Sequence, residues 1–184
     1  MKTWQWILVG IGALVVFRRP AGDYVTEAAQ DINEGVKTIV AITSQDALAN
    51  ERKYAPYIAS AEKKYGIPTG VLHRLITAES HFRSDIITGK TRSAVGATGI
   101  AQFMPATAAE LGVNPLDPIA SIDAAGRYLK TILGWTGGND WTKAVAAYNW
   151  GAGNVNKAVK TYGINWLAYG APKETRDYVA KIIV

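Results

Sequence analysis

From Tyr54 to the C-terminus, apolar residues recur at spacings of three and four in short runs, each closed by glycine or proline. Such runs place one apolar stripe on a helix, whereas a half-buried strand needs strict alternation, which is nowhere sustained here. The first run, near Pro56 to Tyr65, stops at Gly66, a residue suited to a left-handed helix end, ahead of Pro68. A second helix follows in PTGVLHRLITAESHF, and another spans about Ser121 to Leu133, burying Tyr128, Leu129, Ile132 and Leu133. Two more are expected around Trp141 to Tyr148 and Asn154 to Tyr162, and a last one includes Glu174 to Ile183. The glycine-containing stretch 84–96 leaves room for a short hairpin. The expected fold is therefore mainly α, with short connections.

Within the second helix, Leu72, Leu75, Ile76 and Phe82 share a face with Glu79. An unpaired carboxylate among such neighbours is costly, and the usual relief is a raised pKa. A carboxylic acid still protonated near neutral pH can donate a proton to a leaving oxygen. From the helix alone, a carboxylate that emerges at the surface or meets Arg74 or Arg83 is an equal alternative.

At 184 residues with 48% hydrophobic residues, the chain has room for one domain with a true core plus an attachment. There is no cysteine, which removes disulfides and thiolate metal sites. His73 and His81 lack the spacing of a zinc motif, and nothing calls for a metal or cofactor. The net charge of +5 falls wholly in the later part: residues 54–184 hold fourteen Lys/Arg against nine Asp/Glu, while residues 1–53 balance. A modest positive field suits an anionic polymer. Nucleic acid is the generic partner for such a charge, but no basic run or nucleic-acid motif supports it; a wall polymer carrying carboxylates fits equally well, and charge alone does not choose.

The N-terminus is a separate object. Trp4 to Phe17 is an unbroken apolar run between Lys2 and Arg18-Arg19-Pro20, without a small-residue cleavage site. We read residues 1–21 as a retained hydrophobic membrane anchor. Fourteen residues cover about 21 Å of a hydrocarbon core of ~30 Å, and snorkelling arginines with interfacial Trp4 and Trp6 can close much of the gap. A buried core helix and a secretory signal are the alternatives. Residues 22–53 read as an amphipathic helical stalk, with Val25, Ala28, Ala29, Ile32, Val36, Ile39 and Val40 on one stripe. Thr43-Ser44-Gln45-Asp46 offers a break or a new N-cap. Residues 54–184 form a separate folded domain, which carries the remaining motifs.

Three further segments carry chemistry. Gly96-Ala-Thr-Gly99 leads into Ile100-Ala-Gln-Phe-Met-Pro105, where glycines admit close backbone approach and Gln102 offers an amide that donates and accepts. Ala147-Tyr148-Asn149 closes a helix just before Trp150-Gly-Ala-Gly153, and Glu174-Thr-Arg-Asp-Tyr-Val179 lies in the last helix. With Glu79-Ser-His-Phe82, these segments in this order resemble the soluble lytic transglycosylase family over roughly residues 54–184.

The resemblance implies an α-helical, lysozyme-like fold and cleavage of the β-1,4 bond between N-acetylmuramic acid and N-acetylglucosamine in peptidoglycan. It implies Glu79 as the single catalytic acid/base, and Ser93, Gln102, Met104, Tyr148, Asn149 and Glu174 as substrate-groove residues. Ser80 matches a family serine whose role is structural. Trp150, beside the AYN segment, is the aromatic residue expected to face the groove. Ordinary glycosidases need two carboxylates. Here the muramoyl C6 hydroxyl would attack its own anomeric carbon, leaving a 1,6-anhydromuramoyl end, so that one carboxylate suffices. Tyr148 would stabilise the substrate acetamido group or orient Glu79.

The chain also departs from the family pattern. Ser93 arrives about five residues late, after an insertion around Thr88 to Arg92, and Ile100-Ala101 replaces the commoner Leu-Met. Asp85 adds a second acid. It keeps open a hydrolytic muramidase of the same fold with Asp85 as base, and a non-catalytic peptidoglycan-binding assembly component is the third reading. The expected partners are peptidoglycan glycan strands and a membrane. The setting is a bacterial envelope with the wall-facing domain in the periplasm, a secretion apparatus, or a phage virion.

Overall fold

The computed structural model describes residues 23–184, and the apolar run Trp4–Phe17 lies outside the described residues. The chain divides into two compact units, 1–42 and 43–184. In the first, residues 23–42 are helical, with an exposed Lys37–Glu34 ion pair, and Ile32 and Val36 of the expected stripe are exposed. No helix among the described residues is long and apolar enough to cross a membrane.

Helix α1 (Asp23–Tyr65) is continuous through Thr43–Asp46, where a break or cap was expected, and across the expected boundary at 53/54. Ser44 and Gln45 are exposed, and both residue types are tolerated inside a helix at small cost. Pro56 also lies inside α1 rather than at its start. It sits on the exposed side, as does Arg52, whose carbonyl Pro56 leaves without a helical donor. Water can take that carbonyl.

The second unit is helical throughout, as expected. Its elements are α2 (Val71–Ser80), α3 (Ser84–Ile87), α4 (Pro105–Leu111), α5 (Pro118–Trp135), α6 (Trp141–Trp150), α7 (Ala152–Tyr162) and α8 (Lys173–Ile182). A 3-10 turn and a π turn (Trp166–Gly170) join the last two. Helix α6 is central, packed by α5, α7 and α8. Its Ala144, Val145, Ala146 and Ala147 are buried in succession, and such small side chains let several helices approach closely. Around it, Leu72, Leu75, Ile76, Ile122, Leu129, Val155 and Ile182 close the core.

The expected hairpin near 84–96 is absent. Its segment opens with the single helical turn α3 and continues as irregular turns, and one isolated bridge, Thr98 to Phe103, is the sole antiparallel pairing among the described residues. The reason is local. Asp85 accepts hydrogen bonds from the Arg83 guanidinium and the Thr91 hydroxyl, and its carbonyl accepts from Thr91 N–H. The backbone groups that a ladder would need are already used within the segment, where Ile87, Thr88 and Thr91 N–H donate to Arg83, Ser84 and Asp85 carbonyls, and the side-chain bonds hold that turn in place.

Candidate active site

The start of α2 lacks a side-chain cap of its own, because its N-cap is Gly70 in the left-handed region. Glu62 of α1 supplies one. Its buried carboxylate accepts the N–H groups of Gly70 (2.9 Å), Leu72 (2.9 Å) and His73 (3.2 Å). Three orphan donors are thereby satisfied, and a negative charge stands at the positive pole of the helix.

The other end of α2 carries Glu79, above Leu72, Leu75 and Ile76, which are fully buried. Immediately after it, His81 and Phe82 both take positive φ, a conformation unfavourable for residues with a Cβ. Ser80 and Asn50 hold this turn. The Ser80 hydroxyl donates to Ile76 O and accepts Phe82 N–H, while the Asn50 amide donates to Phe82 O and Ser84 Oγ. Ser80 therefore acts on the backbone, in keeping with a structural role. Strain of this kind persists only where the surroundings over-determine it, and here it ends α2 one residue past Glu79.

Burial pushes the Glu79 carboxyl up to about 7, against a hydrogen bond from Tyr178 that favours the charged form. Its position in the last turn, at the negative pole of α2, acts in the same direction as burial. The Tyr178 hydroxyl, from α8, donates to Glu79 Oε1 at 2.5 Å. Among the described residues, Oε2 has no protein partner and is free to exchange a proton with a ligand. The surface and arginine alternatives for Glu79 do not hold: Arg74 donates to Ile182 O, and Arg83 pairs with Asp85.

Tyr148 stands on α6 close enough for the Glu79 charge, after burial, to help hold its phenol well above the usual range. Its hydroxyl donates to Ala101 O at 3.0 Å, fixing the Gly99–Phe103 loop to α6. The role of orienting Glu79, expected of Tyr148, falls instead to Tyr178. Sequence reasoning quoted Tyr178 within the last motif without assigning it a task. The available signal was its place beside Thr175, Val179 and Ile182, the buried residues of α8.

The remaining expected residues occupy varied positions. Gln102, at positive φ, donates its amide to Gly99 O, and Met104 is exposed at the N-cap of α4. Gly99 must be glycine, since a Cβ there would lie 1.8 Å from Pro115 O at a φ of +81°. Asn149 accepts a hydrogen bond from the buried Thr175 hydroxyl, tying α6 to α8. Ser93 is exposed and accepts Ala97 N–H through its hydroxyl, which stabilises the approach to the glycine segment. Glu174 is exposed in the first turn of α8. Trp150, at the end of α6, lines a hollow with α7.

The Asp85 carboxylate is tied within its own segment. Arg83 first, then Thr91, hold its carboxyl below the ordinary range, and both its oxygens are engaged.

A glutamate raised to near neutrality, held by one tyrosine and near Tyr148, which in turn holds the Gly99–Phe103 loop, sits in a helical domain matched by known proteins. The family model described as the transglycosylase SLT domain matches residues 56–165. The chain belongs to this family. Membrane-bound lytic murein transglycosylase D of Escherichia coli is 30% identical over 150 residues, covering 75% of this chain and 32% of that protein. A transglycosylase of Enterobacteria phage PRD1 is 33% identical over 105 residues, covering 56% of this chain and 37% of that protein. The chain thus spans about a third of the length of the curated relatives it matches. Among solved structures, an inactive glutamate-to-glutamine mutant of lytic transglycosylase Slt from Pseudomonas aeruginosa superposes with a TM-score of 0.57. It is 25% identical, and the match covers 70% of this chain and 22% of that one. The SLT fold therefore accounts for the helical arrangement around Glu79.

Proposed function

We propose that this SLT-domain chain is a peptidoglycan lytic transglycosylase that cleaves the β-1,4 bond from N-acetylmuramic acid to N-acetylglucosamine, with Glu79 as its only acid/base. The observation that carries the reading is the half-buried Glu79 carboxyl, raised by desolvation to about 7 and hydrogen-bonded by Tyr178. Glu79 starts protonated and gives its proton to the departing glycosidic oxygen as the C1–O bond breaks. The substrate 2-acetamido group stabilises the electron-poor C1. Glu79, now a carboxylate, removes the proton from the C6 hydroxyl, and that oxygen closes on C1. The acid is restored, a 1,6-anhydro ring is formed, and no water is consumed.

Tyr178 supports both halves of the cycle. Burial first, and then the Glu79 charge, hold its phenol well above the ordinary range, so it remains a donor throughout. Its bond to Oε1 leaves Oε2 for the substrate and steadies the carboxylate between the two proton transfers. The engaged Asp85 supports a route without a second carboxylate, and the glutamate-to-glutamine change in the inactive neighbour is consistent with an essential glutamate. In the family groove, Gln102, Met104, Tyr148, Asn149 and Glu174 would contact the glycan, with Ser93 at the rim. The apolar run Trp4–Phe17 would attach the domain to a membrane beside the wall, consistent with one relative being named membrane-bound and another coming from a phage.

Digestion of purified sacculi followed by mass spectrometry tests the reading. Fragments should be lighter by one water than their hydrolysed counterparts, and Glu79→Gln should reduce release by at least about a hundredfold. Fragments carrying the added water would instead establish hydrolysis, and wild-type rates in Glu79→Gln would remove Glu79 from the chemistry.

A further inference from the structure

A hollow of about 310 Å³ lies between Trp150 at the end of α6, the outer face of α7 and the end of the π turn. Its volume is at the small end of the range for ligand sites, about 300–1,000 Å³. The Glu79 chemistry makes no use of it. Tyr148 and Trp150 are two residues apart on one helix and so point about 200° apart, which sets the hollow across α6 from the acid.

The walls are aromatic and the polar groups are complementary to a sugar. Trp150 is half-buried, whereas the Tyr162 ring is 46% exposed. Asn154 Nδ2 donates to Trp150 O at 2.7 Å, which leaves Oδ1 as a free acceptor. Thr161 Oγ1 donates to Lys157 O at 2.9 Å and likewise keeps its acceptor lone pairs. Among the described residues, no carboxylate pairs with the Lys157 ammonium. Two acceptors, one cation and two ring faces match a ligand rich in hydroxyl and amide donors that has apolar faces and a negative charge.

The hollow is also rigidly built. A Cβ on Gly170 would lie 2.7 Å from Ala158 Cβ and 2.9 Å from the Tyr162 ring, so glycine there lets the π turn close against that ring. Ala171 N–H to Trp166 O closes the turn, and Trp166 is buried beneath it. Uninterrupted π turns are rare and concentrate at functional sites.

We propose that this hollow is a second saccharide site, which holds one N-acetylhexosamine of a glycan strand between Trp150 and Tyr162. Lys157 pairs with the carboxylate of a muramoyl substituent. The proposal rests on the peptidoglycan reading for its ligand, but not on Glu79 chemistry. A strand held across α6 from the acid tethers the enzyme to the polymer, so the site acts on apparent KM for sacculi more than on turnover.

The test uses the full chain carrying Glu79→Gln in detergent, titrated with chitohexaose. The Trp150 indole N–H resonance is identified by its loss in Trp150→Phe. The indole signal should shift saturably, Tyr162→Ala should weaken that shift about three- to tenfold, and Tyr162→Phe should restore it. Muramoyl-containing strands should bind more tightly than chitohexaose, and Lys157→Ala should abolish the difference. An indole signal that stays still at saturating sugar, or a titration unchanged by Tyr162→Ala, overturns the proposal. If wild-type chain cleaves sacculi while the indole stays still, the second site fails and the transglycosylase reading stands. If the indole shifts but nothing is cleaved, the reverse holds.

Discussion

Glu79→Gln should make the protein more stable, and only above the acidic range. The Glu79 carboxyl is raised from 4.5 to about 7 by burial. Between those values the folded state binds a proton that the unfolded chain releases. Stability from this group is therefore fully present below about 4.5 and is lost as the pH rises through 7. At about 1.4 kcal/mol per pH unit, the gap corresponds to roughly 3 kcal/mol of strain from holding the carboxylate at pH 8. The glutamine amide still accepts the Tyr178 hydroxyl but lacks charge assistance, which lowers the expected gain to about 2–3 kcal/mol. For a chain of this size that is an increase in Tm of about 4–12 °C at pH 8, against almost none at pH 4. Thermal or urea unfolding of both forms at the two pH values measures it. An equal effect at pH 4 and pH 8, or a loss at pH 8, would refute the claim that burial holds Glu79 protonated.

Removing only the donor, in Tyr178→Phe, takes away a bond that favours the carboxylate. The alkaline limb of the pH–rate profile should move up by about 1–2 pH units, with a lower maximal rate; an unmoved limb in folded protein would remove Tyr178 from the site. Glu62→Ala leaves three helix-start N–H groups without acceptors and should cost about 2–4 kcal/mol in urea unfolding; a change below about 0.5 kcal/mol would contradict the capping role. Gly99→Ala drives a Cβ into Pro115 O and should eliminate activity on sacculi while α2 stays folded, as followed by amide exchange.

Much of the helical layout was legible because each helix carries its own signal. The α1 terminus at Tyr65 before Gly66, and α5 through α8, lie within a few residues of their expected bounds, since periodic apolar runs and glycine or proline stops are local properties. The hairpin was misread for a complementary reason. Glycine content in 84–96 permits a turn pair, but the Arg83–Asp85–Thr91 bonds that prevent it join side chains whose pairing no periodicity encodes.

The sequence alone determined that this chain folds as helices around an apolar core and that Glu79 shares a helix face with Leu72, Leu75 and Ile76. Spacing fixes which side chains share a helix face, whatever that helix later meets. Only the tertiary structure decided what surrounds the acid. Tyr178, ninety-nine residues away, takes the carboxylate that Tyr148 was expected to orient. Asp85 is engaged by Arg83 and Thr91 of its own segment, and Trp150 lines a hollow with residues of α7. Each of these depends on how helices cross, and desolvation, which sets the Glu79 proton, exists only once they have packed.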